Sequence, residues 1–207
     1  MFAVVEVLAE AEDSANRPAR LAPPPRRFTV EEYHRMIEAS VFDTAERVEL
    51  IEGEVLQMAA KSLCHVAGVR RVSKKLTKLL GERVFIATQD PIQISGVSEP
   101  EPDVVVAVPS ATDYEDHHPT PPEILLVVEV AETSVQVDRQ RKLPLYAKAG
   151  IQQFCILNLR GGELEDYRDP SLEGYRQKQT YTAKQSFNLV AFPKVKIKVA
   201  DLIPRSF

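Results

Sequence analysis

Asp103 stands immediately before the apolar run 104–108, and Glu129 stands immediately after the apolar run 124–128. The two runs are equally long. If they pair antiparallel across the proline-containing connection between them, 104 lies opposite 128, 108 opposite 124, and Asp103 opposite Glu129. Directly opposed residues have Cβ atoms roughly 4.5 to 5.5 Å apart, so two carboxylates would face each other at one end of a buried strand pair. Like charges so placed repel, and the compensation is either a proton held at a raised pKa or a bound cation. Carboxylates that converge in this way are natural ligands for Mg²⁺ or Mn²⁺. For either acid alone, a solvated strand end is the plainer explanation. Glu129 speaks against it, because Val130 continues the strand and an unpartnered charge inside such a run is expensive.

The elements that must position these acids can be read from the surrounding pattern. Thr29 and Glu32 have capping-box spacing and Phe28 can staple onto Tyr33, so a helix starts there. Runs 47–51 and 55–58 flank Glu52-Gly53-Glu54, which predicts a hairpin with both glutamates in the turn. Val66, Val69, Val72, Leu76, Leu79 and Leu80 recur at helical spacing and Gly81 closes the segment, predicting an amphipathic helix over 65–80. Strands are predicted at 84–87, 91–94, 104–108, 124–130 and 154–159. A further helix carries Leu143, Leu145, Tyr146 and Ala149 and is closed by Gly150. From Glu163 onward, alternation of apolar and polar residues suits antiparallel strands, with Lys194, Lys196 and Lys198 as charges guarding an edge. The fold class is therefore α/β of the mixed α+β kind, a central sheet with helices and extra antiparallel strands at the C-terminus.

At 207 residues the chain suits one domain with a substantial core. Hydrophobic residues make up 44% and charged residues 27%, the balance of a globular protein rather than a disordered one. The net charge of -4 excludes a protein that coats nucleic acid by bulk attraction, so any such contact must be local. Cys64 and Cys155 lie far apart and are expected to be reduced thiols in a cytoplasmic protein. The apolar stretch 2–9 is broken by Glu6 and has no basic residues before it, unlike a signal peptide. No run approaches the roughly 20 apolar residues of a membrane-spanning helix. Residues 1–27, ending in Pro23, Pro24 and Pro25, are expected to be a flexible leader to a domain over 28–207.

Several of these segments carry a resemblance. The run 47–54 (Arg-Val-Glu-Leu-Ile-Glu-Gly-Glu), then 101–106 (Glu-Pro-Asp-Val-Val-Val), Val128-Glu129-Val130, and 141–147 (Arg-Lys-Leu-Pro-Leu-Tyr-Ala) followed by Gly150-Ile151, resemble the bacterial putative restriction endonuclease family of the PD-(D/E)XK nuclease superfamily. The resemblance extends over roughly 28–207. It implies a mixed central sheet flanked by helices and a site where acids bind Mg²⁺ for phosphodiester hydrolysis. The matching acids are Glu49, Asp103 and Glu129. A lysine commonly stands two residues after the last acid of the superfamily pattern, but here that residue is Ala131. The resemblance supplies it from the next helix as Lys142, which would assist the attacking water or stabilise charge on the phosphate. DNA is the implied partner, and a homo-oligomer is compatible with the pattern. The rival reading is a non-catalytic binding or assembly protein of the same fold.

Other signals weigh less. Arg70, Lys74 and Lys78 fall at four-residue steps on the polar face of the predicted helix and are secondary DNA-contact candidates beside a plain solvated stripe. His117 and His118 follow Asp113, Glu115 and Asp116 without the spacing of a closed metal site; His65 stands where the resembled family often has a histidine and could line the cleft, with packing the favoured role. No glycine-rich phosphate loop or nucleophile elbow is present, which removes nucleotide-cofactor and serine-hydrolase readings. Limited proteolysis of the purified protein is expected to cut first before residue 27; a resistant leader on a digested domain would overturn that boundary.

Overall fold

The computed structural model describes residues 24–43 and 45–205, so most of the expected leader lies outside the described residues. Helix α1 (Val30–Glu38) begins at the reciprocal capping box of Thr29 and Glu32, with Phe28 packed beside Tyr33. Strands β1 (Val48–Ile51) and β2 (Glu54–Gln57) form the expected hairpin, turned at Glu52 and Gly53 with positive φ. Helix α2 (Leu63–Leu80) is capped by Ser62, whose side chain accepts from the His65 amide, and stops at Gly81.

The main sheet is formed by β3 (Phe85–Ala87), β4 (Val104–Ala107), β5 (Ile124–Ala131), β6 (Gln153–Asn158), β7 (Glu163–Ser171) and β8 (Gly174–Thr182), in that spatial order. It is mixed, because β5 and β6 run parallel while their neighbours are antiparallel. Between β5 and β6 the chain crosses over through α3 (Val135–Val137), a π-helical turn over Asp138–Lys142, and α4 (Leu143–Lys148). A parallel pair needs such a crossover. A small two-stranded sheet of β9 (Ser186–Asn188) and β10 (Lys196–Lys198) completes the chain, with Lys196 and Lys198 exposed as expected.

Alternation along the strands sends side chains to opposite faces. Val104, Val106, Val128 and Val130 pack with Val69, Val72 and Leu76 of α2 and with Phe187 and Ile197 of the small sheet. Val105, Val127 and Ala131 pack on the other face with Leu145 and Tyr146 of α4. Two apolar layers thus enclose the sheet.

Two local expectations need correction. The pairing of β4 with β5 has Val104 opposite Val128, but an irregularity after Val106 sets Ala107, not residue 108, opposite Ile124. The expected strand at 91–94 is absent, because its amides go to scattered partners. Ile92 donates to the Pro100 carbonyl, Gln93 to Pro119 and Ile94 to Ser98, so no single strand can form a ladder with it.

Gly68 lies in the interior of α2, where glycine costs about 0.5–1 kcal/mol relative to alanine. Its use is close approach, since a Cβ there would stand 2.8 Å from Val130 Cγ1 and 3.4 Å from Leu159 Cδ2. Gly68→Val is expected to destabilise the protein by about 1–3 kcal/mol through overpacking, read as a lower Tm; an unchanged Tm would show that the helix can lift off the sheet freely.

Candidate active site

Glu129 follows from the strand period. It lies between Val128 and Val130, which face α2, so it projects to the α4 face among apolar side chains and is 3% exposed. Ala131 projects to that same face two residues on and is buried in the apolar cluster there. A lysine arrives from the crossover instead. Lys142 Nζ lies 3.1 Å from Glu129 Oε1 and 3.1 Å from Glu49 Oε2, and the whole residue is 5% exposed. Tyr146, one turn on, donates its hydroxyl to Glu129 Oε1 at 3.1 Å.

Glu49 reaches this point because its hairpin is tied to the segment before β4. Leu50 and Glu99 exchange backbone hydrogen bonds, and the Glu101 amide donates to Glu49 Oε2 at 3.1 Å. Glu49 is therefore buried rather than solvent-facing. Glu54 is the first residue of β2 and not, as expected, a turn residue, because it pairs with Ile51 across the hairpin; its side chain joins Arg141 on the π-helical turn and Arg27. That ion pair links the hairpin directly to the element carrying Lys142.

Asp103 sits at the end of β4, one step beyond the Val104–Val128 pair, which puts it in register with Glu129. The repulsion expected between them is met by separate partners. Asp103 Oδ2 accepts from the Val130 amide at 2.8 Å, while Oδ1 accepts from Gln89 Nε2 at 3.1 Å and lies 3.0 Å from His65 Nε2. Gln89 is held in turn, with positive φ, its amide on the Asp103 carbonyl and its Oε1 accepting from Lys61 at 2.6 Å.

Glu49, His65, Asp103, Glu129 and Lys142 line one cleft of about 210 Å³. Its described walls carry six carboxylates (Glu49, Glu101, Asp103, Glu129, Glu132 and Asp138) against Arg47, Lys61 and Lys142. The electrostatics follow from that excess. Burial pushes the Glu129 carboxyl well up, with Lys142 pulling the other way and the charges of Asp138, Asp103 and Glu49 adding to the rise. Burial alone would favour loss of the Lys142 proton, but Glu129, Glu49 and Asp138 outweigh it and keep the ammonium charged. Asp103 behaves oppositely to Glu129: burial raises it, yet His65, the Val130 amide and Gln89 hold it below the ordinary value. The hydrogen bond with Asp103 raises His65 against the opposing effect of burial.

The structure thus brings Glu49, Asp103, Glu129 and Lys142 together. Arg70, Lys74 and Lys78 are exposed on α2 outside the cleft, and His117 lies elsewhere, between Asp116 and Glu123. Asp138, Gln89 and Tyr146 do not stand out in the sequence, and His65 takes the cleft-lining place that the sequence reading ranks below packing. The spacing of Asp138, Lys142 and Tyr146 in four-residue steps along one helical segment was the available signal.

Residues 30–200 match the family Uma2, described as "Putative restriction endonuclease". The chain belongs to this family. A crystal structure of a putative nuclease of family DUF820 from Anabaena variabilis superposes with a TM-score of 0.66. It is 14% identical and the match covers 84% of this chain and 97% of that one, so the likeness establishes a shared nuclease-type fold. No curated protein matches the chain. Family and fold together agree with the expectation of a restriction-endonuclease-like protein.

Asp138 offers a test of the charge balance. Burial raises its pKa from 3.8 to about 6, with Lys142 and the Ser134 hydroxyl pulling the other way. A carboxyl whose folded pKa lies above its unfolded one favours folding most at pH below about 4, and its penalty is complete above about 6. That penalty is at most roughly 3 kcal/mol. Asp138→Asn is expected to raise Tm by a few degrees at pH 7–8 and to give no gain at pH 4; an equal shift at both pH values would show that Asp138 does not titrate in this window.

Proposed function

We propose that the chain is a divalent-metal-dependent endonuclease that hydrolyses DNA phosphodiester bonds, with Asp103, Glu129 and Glu49 as its acidic set and Lys142 as the assisting cation. The observation that carries this reading is the buried Lys142 ammonium, 3.1 Å from both Glu49 and Glu129, in a cleft where carboxylates outnumber cations. Such an excess of buried negative charge is relieved by protons or by a cation. The donor set suits Mg²⁺ or Mn²⁺, hard ions that take carboxylate oxygens. Among the described residues no three or more His, Cys, Asp or Glu side chains stand ready as a cage. Mg²⁺ needs none, because it is commonly held by one or two carboxylates together with water. Asp103 and Glu129 would supply those two, with Glu49 beside them. When bound, such an ion activates water for attack and neutralises charge on the phosphate.

The protein's own groups supply the rest. Lys142 stays protonated, so it acts as a fixed positive charge for the developing phosphate charge and not as a base. His65, Gln89 and the Val130 amide fix the Asp103 carboxylate, and Tyr146 orients Glu129 from its Oε1 side. Preorganisation of this kind removes the cost of reorienting groups during reaction.

Supercoiled plasmid with Mg²⁺ or Mn²⁺ is expected to be nicked or cleaved, and Asp103→Asn or Glu129→Gln to abolish this with the circular dichroism spectrum retained. Lys142→Gln is expected to lose roughly 10²–10³ in rate, the scale of removing one preorganised charge-stabilising donor, while keeping a metal-induced rise in Tm. A protein that binds neither ion, with variants matching the parent in every assay, is instead a binding or assembly protein of the nuclease fold.

A further inference from the structure

Helix α2 is chemically unlike the rest of the chain. The sequence has 30 acidic residues, yet the 18 residues of α2 contain five Lys or Arg and no acid. By contrast, the nine residues of α1 carry Glu31, Glu32 and Glu38 beside Arg35. A helix face kept only for solvation usually mixes signs, since opposite charges four residues apart stabilise and like charges destabilise by about 0.2–0.5 kcal/mol per pair.

The structure divides the five cations into two groups. Arg71 and Lys75 are engaged with Asp201, through Arg71 Nε to its carbonyl at 3.1 Å and Lys75 Nζ to its carboxylate at 2.7 Å. They fasten α2 to the C-terminal segment. Arg70, Lys74 and Lys78 are exposed and, among the described residues, take part in no ion pair. They stand at four-residue steps, so 70/74 and 74/78 are like-charge pairs with nothing to offset them. The same ridge, followed back in four-residue steps, passes Val66 to Ser62, which lines the acidic cleft together with His65.

We infer that Arg70, Lys74 and Lys78 form a phosphate track that seats the backbone of duplex DNA leading away from the cleft. This rests on the nuclease reading above. Eight residues of helix span about 12 Å, and phosphates along one strand of a duplex advance about 3.4 Å each along its axis, so the ridge spans three to four phosphates. An anion row is what makes the unpaired like charges favourable. It also reconciles DNA as substrate with a net charge of -4, because attraction is confined to one ridge beside the site.

The experiment is equilibrium binding of a fluorescent 20-base-pair duplex to the full chain in EDTA, followed across salt concentration, with plasmid cleavage in Mg²⁺ measured alongside. Each phosphate contact contributes about 0.9 to the slope of log K against log salt. The triple variant Arg70→Gln, Lys74→Gln, Lys78→Gln is expected to lower that slope by about 2–3. A charge-matched control, Arg35→Gln, Lys148→Gln, Arg176→Gln, alters other elements and is expected to leave it unchanged. If the parent cleaves DNA but the first triple variant keeps the parent slope, or both triple variants lose equally, the track is wrong and the nuclease reading stands. If the parent neither binds nor cleaves DNA, that reading fails and the track fails with it.

Discussion

A single buried ammonium ties the hairpin, the central sheet and the crossover to one point. Lys142 Nζ contacts an acid from the hairpin and an acid from the central sheet, and its own helical segment is the crossover between β5 and β6. Charges this deep are tolerable only when paired, and breaking such a pair typically costs 3–5 kcal/mol because the partner is left uncompensated. That is a large share of the 5–15 kcal/mol by which domains are stable. The positions of hairpin, sheet and crossover are therefore constrained together. Arg141 and Glu54 repeat the link one residue away, nearer the surface.

The sheet divides the labour between its faces. Its α2 face is apolar along β4 and β5, with Gly68 allowing helix and strand to approach closely. Its α4 face carries buried acids that are each partnered, Glu129 by Lys142 and Tyr146 and Glu165 by Arg139 and Lys178. The π-helical turn over Asp138–Lys142 belongs to this face, and both its end residues are buried at the cleft. Such turns recur at functional sites, where an extra residue per turn redirects side chains.

Asp103 and Glu129 illustrate how environment separates two chemically similar groups. Asp103 ends its strand where an amide, an amide side chain and an imidazole reach it, and it stays readily ionised. Glu129, inside its strand, has apolar neighbours and more acids nearby, and holds a proton more tightly. Carboxylates with opposed tendencies in one cleft recur in hydrolytic sites.

Much of this was legible in the sequence for physical reasons. Continuous apolar runs marked β4 and β5, and their equal length put Val104 opposite Val128. The capping box of Thr29 and the Gly81 stop are local signals, and local interactions set both. The run of motifs around Glu49, Asp103, Glu129 and Lys142 was enough to mark the family. What only the tertiary structure decided depends on contacts between residues distant along the chain. Whether Glu49 faces solvent or a buried lysine is settled by the hydrogen bonds that tie its hairpin to residues 97–101, over 45 positions on. The failed strand at 91–94 had the right pattern but no continuous partner, since its amides were claimed by Pro100, Pro119 and Ser98. His65 and Gln89 carry no periodic signal for their contact with Asp103, and Arg70 and Arg71 are adjacent in sequence yet differ because only the folded chain brings Asp201 to one of them. Periodicity specifies which face a side chain takes; which charge meets it there is decided by packing.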